Sequence, residues 1–153
     1  HSVATSAEMR SFSIFAVSGI LGLSGGMKLI LLLSGKGHPM FGVGRMLPGW
    51  FLGVAGLHEV VATYLLLRQD EALGLGMACI FMGGVLFSYT LPEGLPPLKQ
   101  IPGFAVSGMV AYAIATAPAP LRSKLLGTAI STPGYLAFGA IGMATGALLR
   151  LVQ

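Results

Sequence analysis

Trp50-Phe51-Leu52-Gly53-Val54-Ala55-Gly56-Leu57-His58-Glu59-Val60-Val61-Ala62-Thr63-Tyr64-Leu65-Leu66-Leu67 decides the fold. It is an apolar run interrupted only by His58 and Glu59, near its middle. About 20 apolar residues of helix cross a bilayer core ~30 Å thick, and this run is of that order. Four more such runs lie at 12–33, 72–91, 101–117 and 134–152. Breakers separate them. Ser34-Gly35-Lys36-Gly37-His38-Pro39 follows the first, and Arg68-Gln69-Asp70-Glu71 makes a tight polar turn after the second. Pro92, Pro96 and Pro97 stiffen the third connection, and Pro118 and Pro120 open the fourth. The short turn predicts an antiparallel hairpin of the second and third segments.

The whole chain agrees with that stretch. Of its 153 residues, 54% are apolar and 9% charged, and mean hydropathy is +0.83. An ordinary soluble domain has roughly 25% charged residues, so these cannot coat a water-facing surface. A soluble enzyme, a disordered chain and a nucleic-acid-binding domain are excluded on that ground. The nine Lys and Arg are scattered singly, with no basic run to follow a phosphate backbone. The ten-residue alternation of a β-barrel is absent from the pattern. The expectation is an all-α, polytopic transmembrane helix bundle: four core helices and a fifth, in one membrane domain over 12–152, with 1–11 as an N-terminal segment. The lipid bilayer is the first expected partner and other transmembrane subunits of a larger complex the second. Nucleic acid is not a partner.

The opening His1-Ser-Val-Ala-Thr-Ser-Ala lacks Met and has no acid before Glu8. It reads as a trimmed start or as the residue of a removed targeting segment. The second reading implies an organellar membrane, thylakoid or mitochondrial inner. Basic residues fall four against four on the two sides of a five-span arrangement, so the positive-inside rule leaves orientation open. Pro48-Gly49-Trp50, Pro102-Gly103-Phe104 and Pro133-Gly134-Tyr135 each read as a helix opening, because Pro tolerates the first turn.

Glycine supplies 23 residues. Ser18, Gly22 and Gly26 share a face of the first segment, Gly53 and Gly56 a face of the second, and Gly139, Gly142 and Gly146 a stripe of the fifth. In lipid, helices associate through close backbone approach, which small residues permit. The fifth-segment stripe is a candidate for helix packing or for contact with a partner subunit, and docking of a neighbouring transmembrane helix is the sharper expectation.

Lys28, His58 and Glu59 are the informative ionisable residues. A charge at mid-bilayer costs at least ~2.5–3.5 kcal/mol and normally faces inward toward a partner. Lys28 lies on a face with Ser24 and Gly25, and Glu59 with Gly56 and Thr63. Side chains lean toward their helix N-terminus, so on antiparallel helices Lys28 and Glu59 lean toward each other and can pair. The alternative is Lys28 snorkelling to the interface with Glu59 protonated. His58 is about 100° around the helix from Glu59. It reads as a hydrogen-bonded structural residue, as an axial ligand to a pigment such as chlorophyll, or as a proton relay. Cys79 is alone, so no intrachain disulfide forms. No Ser/His/Asp set, Cys pair or carboxylate cluster marks a catalytic or metal site.

Ser24-Gly25-Gly26-Met27-Lys28-Leu29, a Gly- and Pro-rich loop, and Gly53-Val54-Ala55-Gly56-Leu57-His58-Glu59 together resemble the DoxX-like family of small membrane proteins. The resemblance runs over about residues 12–117. It implies a four-helix membrane bundle, and some members are linked to quinone redox chemistry. The fifth segment departs from that pattern. The leading functional expectation is a non-catalytic accessory subunit of a large organellar bioenergetic complex, such as a photosystem, with chlorophyll, carotenoid or lipid as ligands it could hold. The alternatives are a DoxX-like component of a quinone-linked oxidoreductase and a small proton-linked transporter using Lys28 and Glu59.

Overall fold

The computed structural model describes residues 5–36, 38–39, 46–84, 87 and 97–152. Helix α1 runs Ser6–Leu33. Thr5 starts it: its Oγ1 accepts from the Glu8 N–H at 3.3 Å, while the Glu8 carboxylate accepts from the Thr5 N–H at 2.7 Å. This reciprocal capping box satisfies two end donors and starts the helix well before residue 12, so most of the expected N-terminal segment is helical. Gly35, at φ +66°, ends it in the left-handed region.

A two-residue ladder pairs β1, His38–Pro39, with β2, Met46–Leu47. Helix α2, Gly49–Tyr64, continues as a wider π-helical turn, Leu65–Gln69. Helix α3, Glu71–Phe81, opens one residue later, and helical turns extend it to Gly84. Helix α4 is Pro97–Ala115 and α5 is Thr132–Val152. Pro102 does not open α4 as expected; the helix is already formed at Pro97, and Pro102 sits inside it at the expense of one backbone bond. Residues 1–4, the first-loop stretch 40–45, and 88–96, which hold the end of the third segment with Pro92 and Pro96, lie outside the described residues.

The described residues are thus helical apart from the short ladder and the connecting turns. Among the described residues, three helices are long and apolar enough to cross a membrane: Ser6–Leu33, Gly49–Gln69 and Thr132–Val152. The apolar helical stretches Glu71–Gly84 and Ile101–Ala115 are shorter among the described residues, and most of the remainder of the expected 72–91 segment lies outside them. Large apolar side chains, among them Phe15, Leu23, Ile30 and Leu136, are exposed on the outer faces of α1 and α5.

The main apolar core joins Val17 and Leu21 of α1, Ala62 of α2, Leu75 of α3, Val110 and Ala113 of α4, and Tyr135 of α5. It lies toward the end that holds the α1 N-terminus. Helix α1 packs on α2 and α4, while α3 packs on α2, α4 and α5. The α3–α5 contact depends on absent side chains. A Cβ on Gly142 would overlap the Ile80 carbonyl oxygen, and one on Gly83 would overlap that of Gly139. The glycine stripe of α5 therefore seats on the chain's own α3, with Gly142 and Gly146 buried. Of the two roles expected for the stripe, helix packing is the one Gly142 fills, because the α3 backbone already occupies the space a neighbouring subunit would need there. Gly139 differs, since a Cβ there meets nothing within 4 Å.

Polar ties close the α1 N-terminal end. Arg10 pairs with Glu71 and donates from Nε to the Ala113 carbonyl at 3.0 Å, joining α1, α3 and α4. Asp70 is buried in the turn between α2 and α3. Its Oδ1 accepts from the Leu73 N–H at 3.0 Å and caps α3. Its Oδ2 accepts from the Ser123 hydroxyl at 2.7 Å and the Leu125 N–H at 3.0 Å. That clasps the loop before α5, which folds back with Ser123 N–H on the Thr128 carbonyl and Ile130 N–H on that of Leu121, both at 2.9 Å. Burial pushes the Asp70 carboxyl up, but the N–H of Leu125, the Ser123 hydroxyl and the N–H groups of Leu73 and Lys124 outweigh it and hold it below the ordinary carboxylate range.

Two outcomes follow from these contacts. Gly142→Ala forces α5 off α3 and should destabilise by ~1–3 kcal/mol, while Gly139→Ala, with open space for its methyl, should not. Unfolding of the two purified variants side by side checks this. Asp70 is ionised in the fold to lower pH than in the unfolded chain, where it titrates near ~3.9. Its contribution is complete above that value and is lost as pH falls through the lowered folded value. Asp70→Asn should cost ~1–3 kcal/mol near neutrality and flatten the acid limb of a melting-temperature profile against pH.

Candidate functional site

The site is built where α1 crosses α2. A Cβ on Gly25 would lie 2.7 Å from the Gly56 carbonyl oxygen, and one on Gly56 would lie 3.0 Å from that of Gly25. Only glycines allow the helices this close. The crossing places Ser24 and Lys28 of α1 directly against Glu59 of α2. One turn along, the Thr63 hydroxyl lies 3.0 Å from both the Ser18 and Glu59 carbonyls and stitches the same pair of helices.

Lys28 and Glu59 meet. Nζ donates to Glu59 Oε1 at 2.7 Å and Oε2 at 3.0 Å, and to Ser24 Oγ at 2.6 Å. An ammonium has three N–H donors, and here three oxygens face it. Lys28 is 3% exposed and Glu59 0%, so Lys28 does not snorkel. The fourth side is closed by Phe81 of α3, whose ring centroid lies 5.6 Å from Nζ, within cation–π range.

His58 points elsewhere. Its Nε2 lies 2.8 Å from the Met77 carbonyl of α3. A carbonyl can only accept, so Nε2 carries a proton, and in the tautomer that follows the lone pair sits on Nδ1. Nε2 is the ring nitrogen farther from the backbone and the one most open to a bulky macrocycle. Its bond to α3 gives His58 the role of a helix-to-helix tie and leaves only Nδ1 for any ligand.

Beside this tie a cleft of about 110 Å³ opens between α2 and α5, with α3 as its floor. Phe51, Val54 and His58 line it from α2, Phe81 from α3, and Thr145 and Gly146 from α5. Phe81 is shared: its ring lies within cation–π range of Lys28, and the residue also lines the cleft. Among the described residues no group of three or more His, Cys, Asp or Glu could hold a metal.

The structure thus brings Lys28 to Glu59, sends His58 to α3, places Gly142 at the α3 contact and Gly146 in the cleft lining, and leaves the Gly139 Cβ position open. Sequence reasoning missed Ser24 as the third acceptor, Phe81 as the fourth wall and the clasp of Asp70. Asp70 had a signal, since an Asp just before Glu71-Ala72-Leu73 is a helix-capping pattern. Phe81 had none, because its neighbour is distant in sequence.

No protein-family model, curated protein or solved structure matches the chain.

Removing one member of an enclosed pair leaves a bare buried charge or an unmet ammonium, at ~3–5 kcal/mol. Lys28→Met and Glu59→Gln should each lose stability on that scale, and the double variant should recover part of the loss. Strictly additive losses in a double-mutant cycle would show that the two act independently.

Proposed function

We propose that this chain is an integral membrane bundle that serves as a non-catalytic subunit of a larger energy-converting membrane assembly. One observation carries the reading. The buried ammonium of Lys28 has its three donors matched by Glu59 Oε1, Glu59 Oε2 and Ser24 Oγ. A carrier that binds cargo or passes a proton at such a pair needs a donor or acceptor free to exchange partners. Here the set is closed, so its use is to hold α1 on α2.

The exterior supports the same reading. Apolar side chains cover the outer faces of α1 and α5, which suits lipid and neighbouring helices. The two stretches behind the DoxX-like resemblance, 24–29 and 53–59, meet at the α1–α2 crossing, and α5 lies outside that crossing on α3. This arrangement supports a DoxX-like core with an added helix.

The test uses the chain in its native membranes. Thylakoid and mitochondrial membranes carrying a tagged copy are washed with alkaline carbonate, solubilised in mild detergent and run on native gels. The expected result is retention through the wash and co-migration with a large complex in one of them. Release by carbonate would reject membrane integration, and migration as the isolated chain would reject the subunit role.

A further inference from the structure

We propose that the cleft between α2 and α5 binds the ring of a lipid-soluble phenol, with its hydroxyl donating to His58. The chemistry of the cleft selects this class. Its walls are apolar except for two side chains, His58 and Thr145. The ring proton of His58 is given to the Met77 carbonyl at 2.8 Å. The hydroxyl proton of Thr145 is given to the Ile141 carbonyl of its own helix at 2.9 Å. Both protons are therefore committed, and both side chains have only lone pairs left. No described residue donates to Nδ1 of His58. An occupant has to bring a donor, and one that brings only acceptors faces two like groups without a proton between them.

Size and position narrow the class further. A volume of about 110 Å³ is of the order that encloses a single ring, since a cavity of ~150 Å³ holds benzene. Phe51 and Phe81 supply aromatic walls, and Gly146 leaves a side of the cleft without a side chain. Val54 lines the cleft and is 60% exposed, which puts it at the cleft's open edge, on the face that meets lipid in the membrane placement proposed above. His58 is nine residues beyond Gly49, about 13 Å along α2 at ~1.5 Å per residue. A phospholipid headgroup anchored at the interface does not reach that depth. A free hydrophobic phenol with a hydrocarbon tail does, and its tail stays outside the cleft among lipid chains.

The experiment measures binding of radiolabelled para-dodecylphenol to the purified chain in detergent. Competitors are unlabelled para-dodecylphenol, its methyl ether, and a benzoquinone with the same tail. The ether keeps the shape and loses the donor, and the quinone only accepts. The phenol should displace label at least about tenfold better than either; equal displacement would overturn recognition of the hydroxyl. Val54→Trp fills the mouth from an exposed position and should abolish binding while leaving the melting temperature unchanged. Binding retained in that variant would overturn the location. His58→Phe should bind phenol and ether alike; if loss of the Met77 tie unfolds it, Val54→Trp with the competitor series still decides. Membrane integration is read separately by the carbonate wash, so failure of one idea is distinguishable from failure of the other.

Discussion

Two opposite charges enclosed among apolar helices have to find each other, and the fold is arranged around that requirement. Replacing such a pair with well-packed apolar groups is often neutral or favourable, so net stability is a poor account of why it is there. Register is a better one. Three acceptors meet the Lys28 ammonium only when Ser24 and Lys28 stand opposite Glu59, and sliding α1 along α2 by one turn would strand both charges. The glycines at 25 and 56 bring the backbones close enough for that geometry. The Thr63 hydroxyl, 3.0 Å from the Ser18 carbonyl, fixes the same register one turn away.

From this crossing the structure extends through α3. Phe81 covers the ion pair, the Met77 carbonyl takes the His58 proton, and Ile80 and Gly83 receive α5. The remaining polar ties gather at one end, where Arg10 joins three helices and Asp70 holds the loop that delivers the chain to α5. Polar groups are matched at the end and at the crossing, and apolar surface is left outside. This division suits a protein surrounded by lipid, where an unmatched polar group has no water to turn to.

The cleft is the exception to that matching. Around Lys28 the donors and acceptors are matched. At His58 and Thr145 the protons are used and lone pairs remain. A closed set holds helices together, while an incomplete one next to an opening selects by what it lacks. Phe81 stands over Lys28 and also lines the cleft, so the residue that covers the ion pair also shapes the cleft.

The sequence by itself determined the helical class, the positions of the apolar segments and the candidacy of Lys28 and Glu59, because hydropathy and spacing are local properties and a charge inside an apolar run stands out. It also contained the capping signals at Thr5-x-x-Glu8 and Asp70, which mark where α1 and α3 begin. Tertiary structure alone decided which groups meet. That Ser24 completes the ammonium, that Phe81 covers it, that His58 turns to the Met77 carbonyl and that α3 fills the space at Gly142 all depend on how helices distant in sequence pack. Each helix presents several faces of similar composition, and only the close approach of particular backbones selects among them.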